Sequence, residues 1–165
     1  MNLKKAIHSF PLANDSDQPA SITYFDYYPY SCYIYTAYQQ SIIMAFIVKE
    51  TRTTPFIKVD MGEIIIKGRS IPEDALEFYE PVLDACRDYV EKPATHTLID
   101  IHLDYVNSGS KKYLTNVLTV LEKSYLEGNS YEVNWTYDID DEAMLDLGHD
   151  LKGIIKIPLS INQSE

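Results

Sequence analysis

The sequence predicts one α/β (α+β) domain: a small mixed sheet of about five strands, in the order ββαβαβαβ, with helices mainly on one face. Three observations carry this. From Phe46 onward the apolar residues recur at periods of 2 and 3.6 in turn, so strands and helices alternate along the chain. A glycine-containing turn joins the first two strands, which makes the leading pair a hairpin and the sheet mixed. Polar and apolar residues alternate along two strands, whereas strands covered on both faces read as unbroken apolar runs.

Phe56-Ile-Lys-Val-Asp60, Met61-Gly62 and Glu63-Ile-Ile-Ile-Lys67 form the hairpin pattern, closed by Gly68-Arg69-Ser70. Ser70 with Glu73 has the spacing of a capping box, Pro72 is tolerated in a first turn, and a helix should run to about Glu91. Its apolar face is Leu76, Tyr79, Val82, Leu83, Cys86, Tyr89 and Val90, and Pro81 inside it should kink it. After the loop Lys92-Pro93-Ala94, His96 to Tyr105 is a strand. A second helix begins near Ser110, carries Leu114, Val117, Leu118, Leu121 and Tyr125 as a stripe, and stops at Gly128. Tyr131, Val133, Trp135 and Tyr137 alternate with Glu132, Asn134 and Thr136 in a further strand. Asp141 and Glu142 suit the positive end of a third helix with Met144, Leu147 and Leu151 on one side, and Ile154 to Leu159 is the last short strand.

The 165 residues are 45% hydrophobic and 24% charged, enough apolar side chain for a sizeable core without staples. The longest apolar run, Ile42 to Val48, has seven residues, against about 20 for a membrane-spanning helix. With 14 basic and 25 acidic residues the net charge is −11. Such a chain is repelled by phosphate backbones and anionic lipid, so neither nucleic acid nor a membrane is expected as a partner, and a basic protein surface fits better. The two cysteines, Cys32 and Cys86, make no C-x-x-C, and Cys86 on an apolar helix face reads as a small hydrophobe. His8, Ser9, Pro11, Asn14 and Asp15 interrupt any leader-like apolar stretch, which points to the reducing cytoplasm. Residues 1–43 stand apart from 44–165: they hold seven of the 14 tyrosines, no glycine and no sustained period. They are expected to be a poorly ordered N-terminal extension, or a stretch translated from a start codon placed too early. The alternative is a genuine arm whose aromatic residues pack on the domain.

Few residues offer chemistry. His96, Asp100, His102 and Asp104 share one face of their strand, and such groups ligate metals. Residues i and i+2 of a strand lie about 7 Å apart, however, too far to converge on one ion unaided, and a solvated polar face explains them. Asp138-Ile-Asp-Asp-Glu142 lacks the glycine and terminal glutamate of an EF-hand loop and reads as a helix start. No phosphate-binding loop, dinucleotide fingerprint or nucleophile elbow occurs, so no catalytic residue, metal or cofactor is assigned. What remains is the junction Leu103-Asp-Tyr-Val-Asn-Ser-Gly-Ser-Lys-Lys112, where Asn107, Ser108 and Ser110 gather at a helix start. Capping is the plain explanation. The same unpaired N–H groups also favour a phosphate, and Lys111 and Lys112 add positive charge. Phosphorylating a hydroxyl there adds about −1.5 to −2 charges to one small patch. One residue caps while its neighbour is modified.

Gly68-Arg-Ser-Ile-Pro-Glu73, Phe78-Tyr-Glu-Pro81, Leu103-Asp-Tyr-Val-Asn-Ser108, Val133-Asn-Trp-Thr-Tyr137 and Met144-Leu-Asp-Leu-Gly148 resemble the SiaC family of bacterial regulatory phosphoproteins, over roughly Phe46 to Ile161. The resemblance implies a non-enzymatic domain similar to STAS and anti-sigma-factor-antagonist folds, working by partner switching. A cognate serine/threonine kinase phosphorylates one hydroxyl and a PP2C-type phosphatase removes the phosphate. The unphosphorylated form binds and activates an output protein, a GGDEF diguanylate cyclase, raising cyclic di-GMP and favouring aggregation or biofilm. The family's modified residue is a threonine directly after asparagine in an Asn-Thr-Ser-Ser-like motif. That position is Ser108 here; Gly109 replaces a serine, and Ser110 keeps the last hydroxyl and is the second choice. The partner-binding surface is then the turn and helix start, Tyr105, Asn107, Ser108, Gly109, Ser110 and Lys111. The alternatives are a small metal-dependent hydrolase using His96, Asp100 and His102, or a constitutive scaffold domain.

Overall fold

A computed structural model of the chain describes residues 6–12, 20–27, 30–36 and 45–164, the first three runs as strand backbone only. The elements are β1 (Ala6–Leu12), β2 (Ala20–Tyr27), β3 (Tyr30–Thr36), β4 (Ala45–Val48), β5 (Phe56–Asp60), β6 (Glu63–Ser70), α1 (Ala75–Glu91), β7 (His96–Val106), α2 (Ser108–Leu126), β8 (Ser130–Tyr137), α3 (Glu142–Ile154) and β9 (Leu159–Gln163). They form one sheet in which the strands lie side by side in chain order. Pairing is antiparallel from β1 to β6 and parallel from β6 to β9. From residue 45 on, the domain is a mixed sheet of six strands with three helices, the mixed α/β class that the alternating periods predicted with one strand added.

That strand order places the helices. Each of β6, β7 and β8 is followed by a helix and a parallel neighbour one step further along the sheet. Right-handed crossovers repeated in one direction put every helix on the same face. The core accordingly joins one side of the strands to the inner stripes of the helices: Ile57, Ile66, Ile99, Ile101 and Trp135 meet Tyr79, Val82, Leu118, Leu121 and Leu151. At roughly 1.5–3 kcal/mol for each fully buried large side chain, this single layer supplies most of the driving force. The other sheet face carries polar side chains paired across strands: Lys67 with Asp100 at 2.7 Å, Asn134 Nδ2 donating to Asp100 at 2.9 Å, and Asn162 donating to Asn134. The β5–β6 turn needs its glycine. Gly62 has φ +82°, and a Cβ there would stand 3.2 Å from the His96 carbonyl oxygen.

Several local expectations are corrected. Ser70 does not cap α1; it is the buried last residue of β6, and Asp74 caps instead, accepting from the Glu77 N–H at 3.0 Å. Leu76, expected on the core face, is 55% exposed because it lies in the first turn, where α1 faces α2 through Ala75 and Gly109. Helix α2 starts at Ser108 rather than near Ser110. Ile154 ends α3 in solvent and the last strand is Leu159–Gln163; Ile155 and Ile157 are buried in the connection, so that apolar run marks burial without a strand. β4 is one strand more than the pattern announced. Its four consecutive apolar residues show no alternation to read. Strands β1, β2 and β3 fall within residues 1–43, and β3 pairs with β4.

Candidate functional site

The β7–α2 junction is set by a bulge. Gly68 pairs with Leu103 and Arg69 with Tyr105, so Asp104 is an extra residue on β7. Beyond it Tyr105 faces solvent, with the Arg69 guanidinium 5.7 Å from its ring centroid, and Val106 is buried. Asn107 then fixes the helix start three ways. Its N–H donates to the Ser70 carbonyl at 3.1 Å, its carbonyl accepts from the Lys111 N–H at 2.9 Å, and its Oδ1 accepts from the Ser110 N–H at 2.8 Å. The cap has extended backbone, φ −81° and ψ 169°, as an N-cap requires.

Ser108, the first helical residue, is exposed. Gly109 allows a close approach: a Cβ there would lie 3.2 Å from the Ala75 Cβ. Lys111 and Lys112 are exposed, and the first turn of α2 has no acidic residue. Of the six residues put forward as partner-binding, Tyr105, Ser108 and Lys111 are thus exposed, Asn107 and Gly109 are partly covered, and Ser110 is buried.

Under this turn lies a cluster of hydroxyls. Tyr79 Oη and Ser70 Oγ share a hydrogen bond of 2.7 Å, and the Tyr79 ring stacks on Tyr113 of α2, with centroids 5.7 Å apart and planes 4° from parallel. Burial pushes the Tyr79 phenol up to about 12, against the opposing pull of the Ser70 and Ser110 hydroxyls. Ser110 Oγ is near enough to exert that pull but makes no hydrogen bond of proper geometry, the one such buried side-chain atom among the described residues.

The would-be metal face is occupied by separate pairings. Asp100 is held by Lys67 and Asn134. His102 Nε2 lies 2.8 Å from Asp138 Oδ1, and His96 Nδ1 lies 2.8 Å from Ser130 Oγ. Asp104 is exposed in the bulge. Among the described residues no three His, Cys, Asp or Glu side chains are placed to hold a metal ion. The His102 hydrogen bond, then that of Ser164, holds the Asp138 carboxyl below the usual range. In the acidic run, Asp141 caps α3 by accepting from the Met144 N–H at 3.0 Å, and Asp140 takes a left-handed φ of 69°. Cys86 is fully buried, and desolvation pushes its thiol up to about 12, away from nucleophilic use. Among the described residues no helix is long and apolar enough to cross a membrane.

Residues 48–164 match the sequence profile of the SiaC family regulatory phosphoproteins. The chain belongs to the SiaC family. It is similar to SiaC of Pseudomonas aeruginosa as solved in a crystal structure of the diguanylate cyclase SiaD with its activator SiaC: TM-score 0.67, 25% identity, 72% of this chain and 98% of that one. The structure of apo-SiaC from the same organism gives a TM-score of 0.64 at 22% identity, again over 72% and 98% of the two chains. An uncharacterised protein of P. aeruginosa strain UCBPP-PA14 is 26% identical over 113 residues, 67% of this chain and 90% of its own. The β7–α2 junction lies inside the SiaC-matched segment. Nothing in the residue pattern marks Arg69 over Tyr105, because a one-residue bulge leaves no trace in composition. The Ser70–Tyr79 pair was hidden by the capping-box pattern that Ser70 happens to complete.

Proposed function

We propose that this chain is a non-enzymatic cytoplasmic switch protein whose unphosphorylated form binds and activates a diguanylate cyclase, and that phosphorylation of Ser108 releases the cyclase. A serine/threonine kinase adds the phosphate and a PP2C-type phosphatase removes it. The observation that carries the reading is the exposed Ser108 hydroxyl on the first residue of α2, directly after the cap Asn107. The SiaC family, together with a relative solved as the activator of a diguanylate cyclase, supports the output.

The physics is local. A phosphate on Ser108 sits at the positive end of α2 beside Lys111 and Lys112, so the domain tolerates it. A docked partner does not, because a dianion buried in the contact loses hydration and repels acidic groups brought against the lysines. A change of about 2–3 kcal/mol shifts affinity roughly thirty- to hundredfold, enough to switch occupancy without rearranging the fold. Two variants test this against the cyclase and the kinase. Ser108→Ala should bind and activate the cyclase while taking no phosphate, and Ser108→Asp should bind at least several-fold more weakly. Equal cyclase affinity of wild type, Ser108→Asp and phosphorylated protein would refute the switch.

A further inference from the structure

Resting on the reading of Ser108 as the gate on a cyclase contact, we propose that the cyclase docks across the whole carboxyl end of the parallel strands, anchoring on Leu76, Tyr105 and Ile139 and matching three bands of alternating charge. Strands β6, β7 and β8 end side by side at Ser70, Val106 and Tyr137, and each leads into a helix. Ser108 therefore stands between two other strand-to-helix connections, at the end of the sheet where open α/β folds bind their ligands.

Large apolar side chains left in water mark contact surfaces where they gather. Among the described residues six are of this kind, and the topology sorts them by end. Leu76 in the first turn of α1, Tyr105 near the end of β7 and Ile139 in the β8–α3 loop surround the Ser108 end. The close approach of Ala75 to Gly109 brings the start of α1 against the start of α2. Met61 in the β5–β6 turn, Leu126 at the end of α2 and Ile154 at the end of α3 lie at the opposite end. Ser108 and the charge pattern choose between the two.

The connections at the Ser108 end carry charge in strand order. Before α1 stand the exposed Glu73 and Asp74, with Glu77 in its first turn. The start of α2 has no acidic residue and presents the exposed Lys111 and Lys112. Before α3 stand the exposed Asp138 and Asp140, with Glu142 in its first turn. Arg69 and Asp104, one of each sign beside Tyr105, leave the middle band positive. The end thus reads negative, positive, negative, and the surface that fits it is basic on both flanks and acidic in the middle. A phosphate on Ser108, at about −1.5 to −2 charges, offsets the two lysines and leaves the end acidic throughout, facing the partner's acidic centre.

Binding kinetics of the full, unphosphorylated chain with the cyclase test this. Leu76→Gln and Ile139→Gln remove exposed apolar surface and leave the core intact, and each should weaken binding roughly tenfold. Met61→Gln, Leu126→Gln and Ile154→Gln make the same change at the opposite end and should bind as wild type. Glu73→Lys and Lys111→Glu should both slow association, and more so at low salt. Faster association of Lys111→Glu would overturn the alternating pattern, because a partner that is simply basic gains from every added negative charge. Unchanged affinity of both Leu76→Gln and Ile139→Gln, or a loss confined to the opposite-end variants, would overturn the docking surface. So would variants that keep cyclase affinity but lose labelling by the kinase, since the surface would then belong to the kinase. Failure of the underlying reading shows separately: Ser108→Asp would bind the cyclase as wild type does, while the glutamine variants still map the contact.

Discussion

Replacing Gly148 by alanine should destabilise the domain, although alanine is the better helix former. Gly148 lies on the inner face of α3 against the indole of Trp135, and a Cβ built there would stand 2.6 Å from Cδ1 and 2.7 Å from Nε1. Carbon atoms in contact settle at about 3.5–4.0 Å, so one partner must yield by about 1 Å. The ring has little room, being fully buried, and its Nε1–H donates to the Met144 carbonyl at 2.9 Å. Overpacking of this kind costs about 1–3 kcal/mol, against about 1 kcal/mol returned by helix propensity. The net loss, up to about 2 kcal/mol, should lower Tm by up to about 8 °C. Gly153 in the same helix is the internal control, because nothing lies within 4 Å of its Cβ position. Gly153→Ala should hold or raise stability by up to about 1 kcal/mol. Thermal unfolding of the two variants decides: a higher Tm for Gly148→Ala than for wild type would refute the close approach of α3 to β8.

Three shorter predictions follow. Asn107→Ala removes the bond to the Ser110 N–H and should cost about 1 kcal/mol, seen as a lower urea midpoint at constant m-value. Asp138 has a depressed folded-state carboxyl, first through His102 and then through Ser164. Its contribution is therefore present above the unfolded aspartate value and is lost as pH falls below about 4. Urea titrations from pH 6 to 3 should show a shallower acid-side loss for Asp138→Asn than for wild type. The Cys86 thiol, buried with its pKa raised to about 12, should react with a thiol reagent only at the rate of unfolding. Labelling of folded protein counted by mass, with Cys86 located by peptide mapping, checks this.

The fold was legible where one face of an element is buried and the other solvated. The periodicity of Tyr131, Val133 and Trp135, or of Leu114, Val117, Leu118 and Leu121, is burial written into sequence, and those residues are in the core. Legibility failed where that link breaks. Ile155 and Ile157 are buried outside any strand, β4 is apolar throughout, and Ser70 has a capping residue's identity but a strand residue's position. The motifs Val133–Tyr137 and Met144–Gly148 stand apart along the chain. The structure shows them to be one contact, Trp135 seated on Gly148 and bonded to the Met144 carbonyl.

At the junction the sequence offered two hydroxyls, Ser108 and Ser110, two positions apart and chemically alike. Only the path of α2 separates them. Two residues along a helix is about 200° of rotation, so one that faces solvent leaves the other facing inward. Ser108 is exposed; Ser110 is fully buried, its hydroxyl close to that of Tyr79. A dianion at Ser110 would lie in the core, stripped of its hydration, and would unfold the turn that carries it. Native protein labelled by its kinase should therefore yield phosphopeptides modified at Ser108 and none at Ser110. Ser108→Ala should not redirect the phosphate to Ser110 while the fold is intact. Denaturing the chain abolishes the distinction, so a kinase that reads only local sequence should then modify either. Stoichiometric phosphate at Ser110 in a folded Ser108→Ala protein would mean that the inward face of α2 opens as a unit, and that burial is not what selects the site.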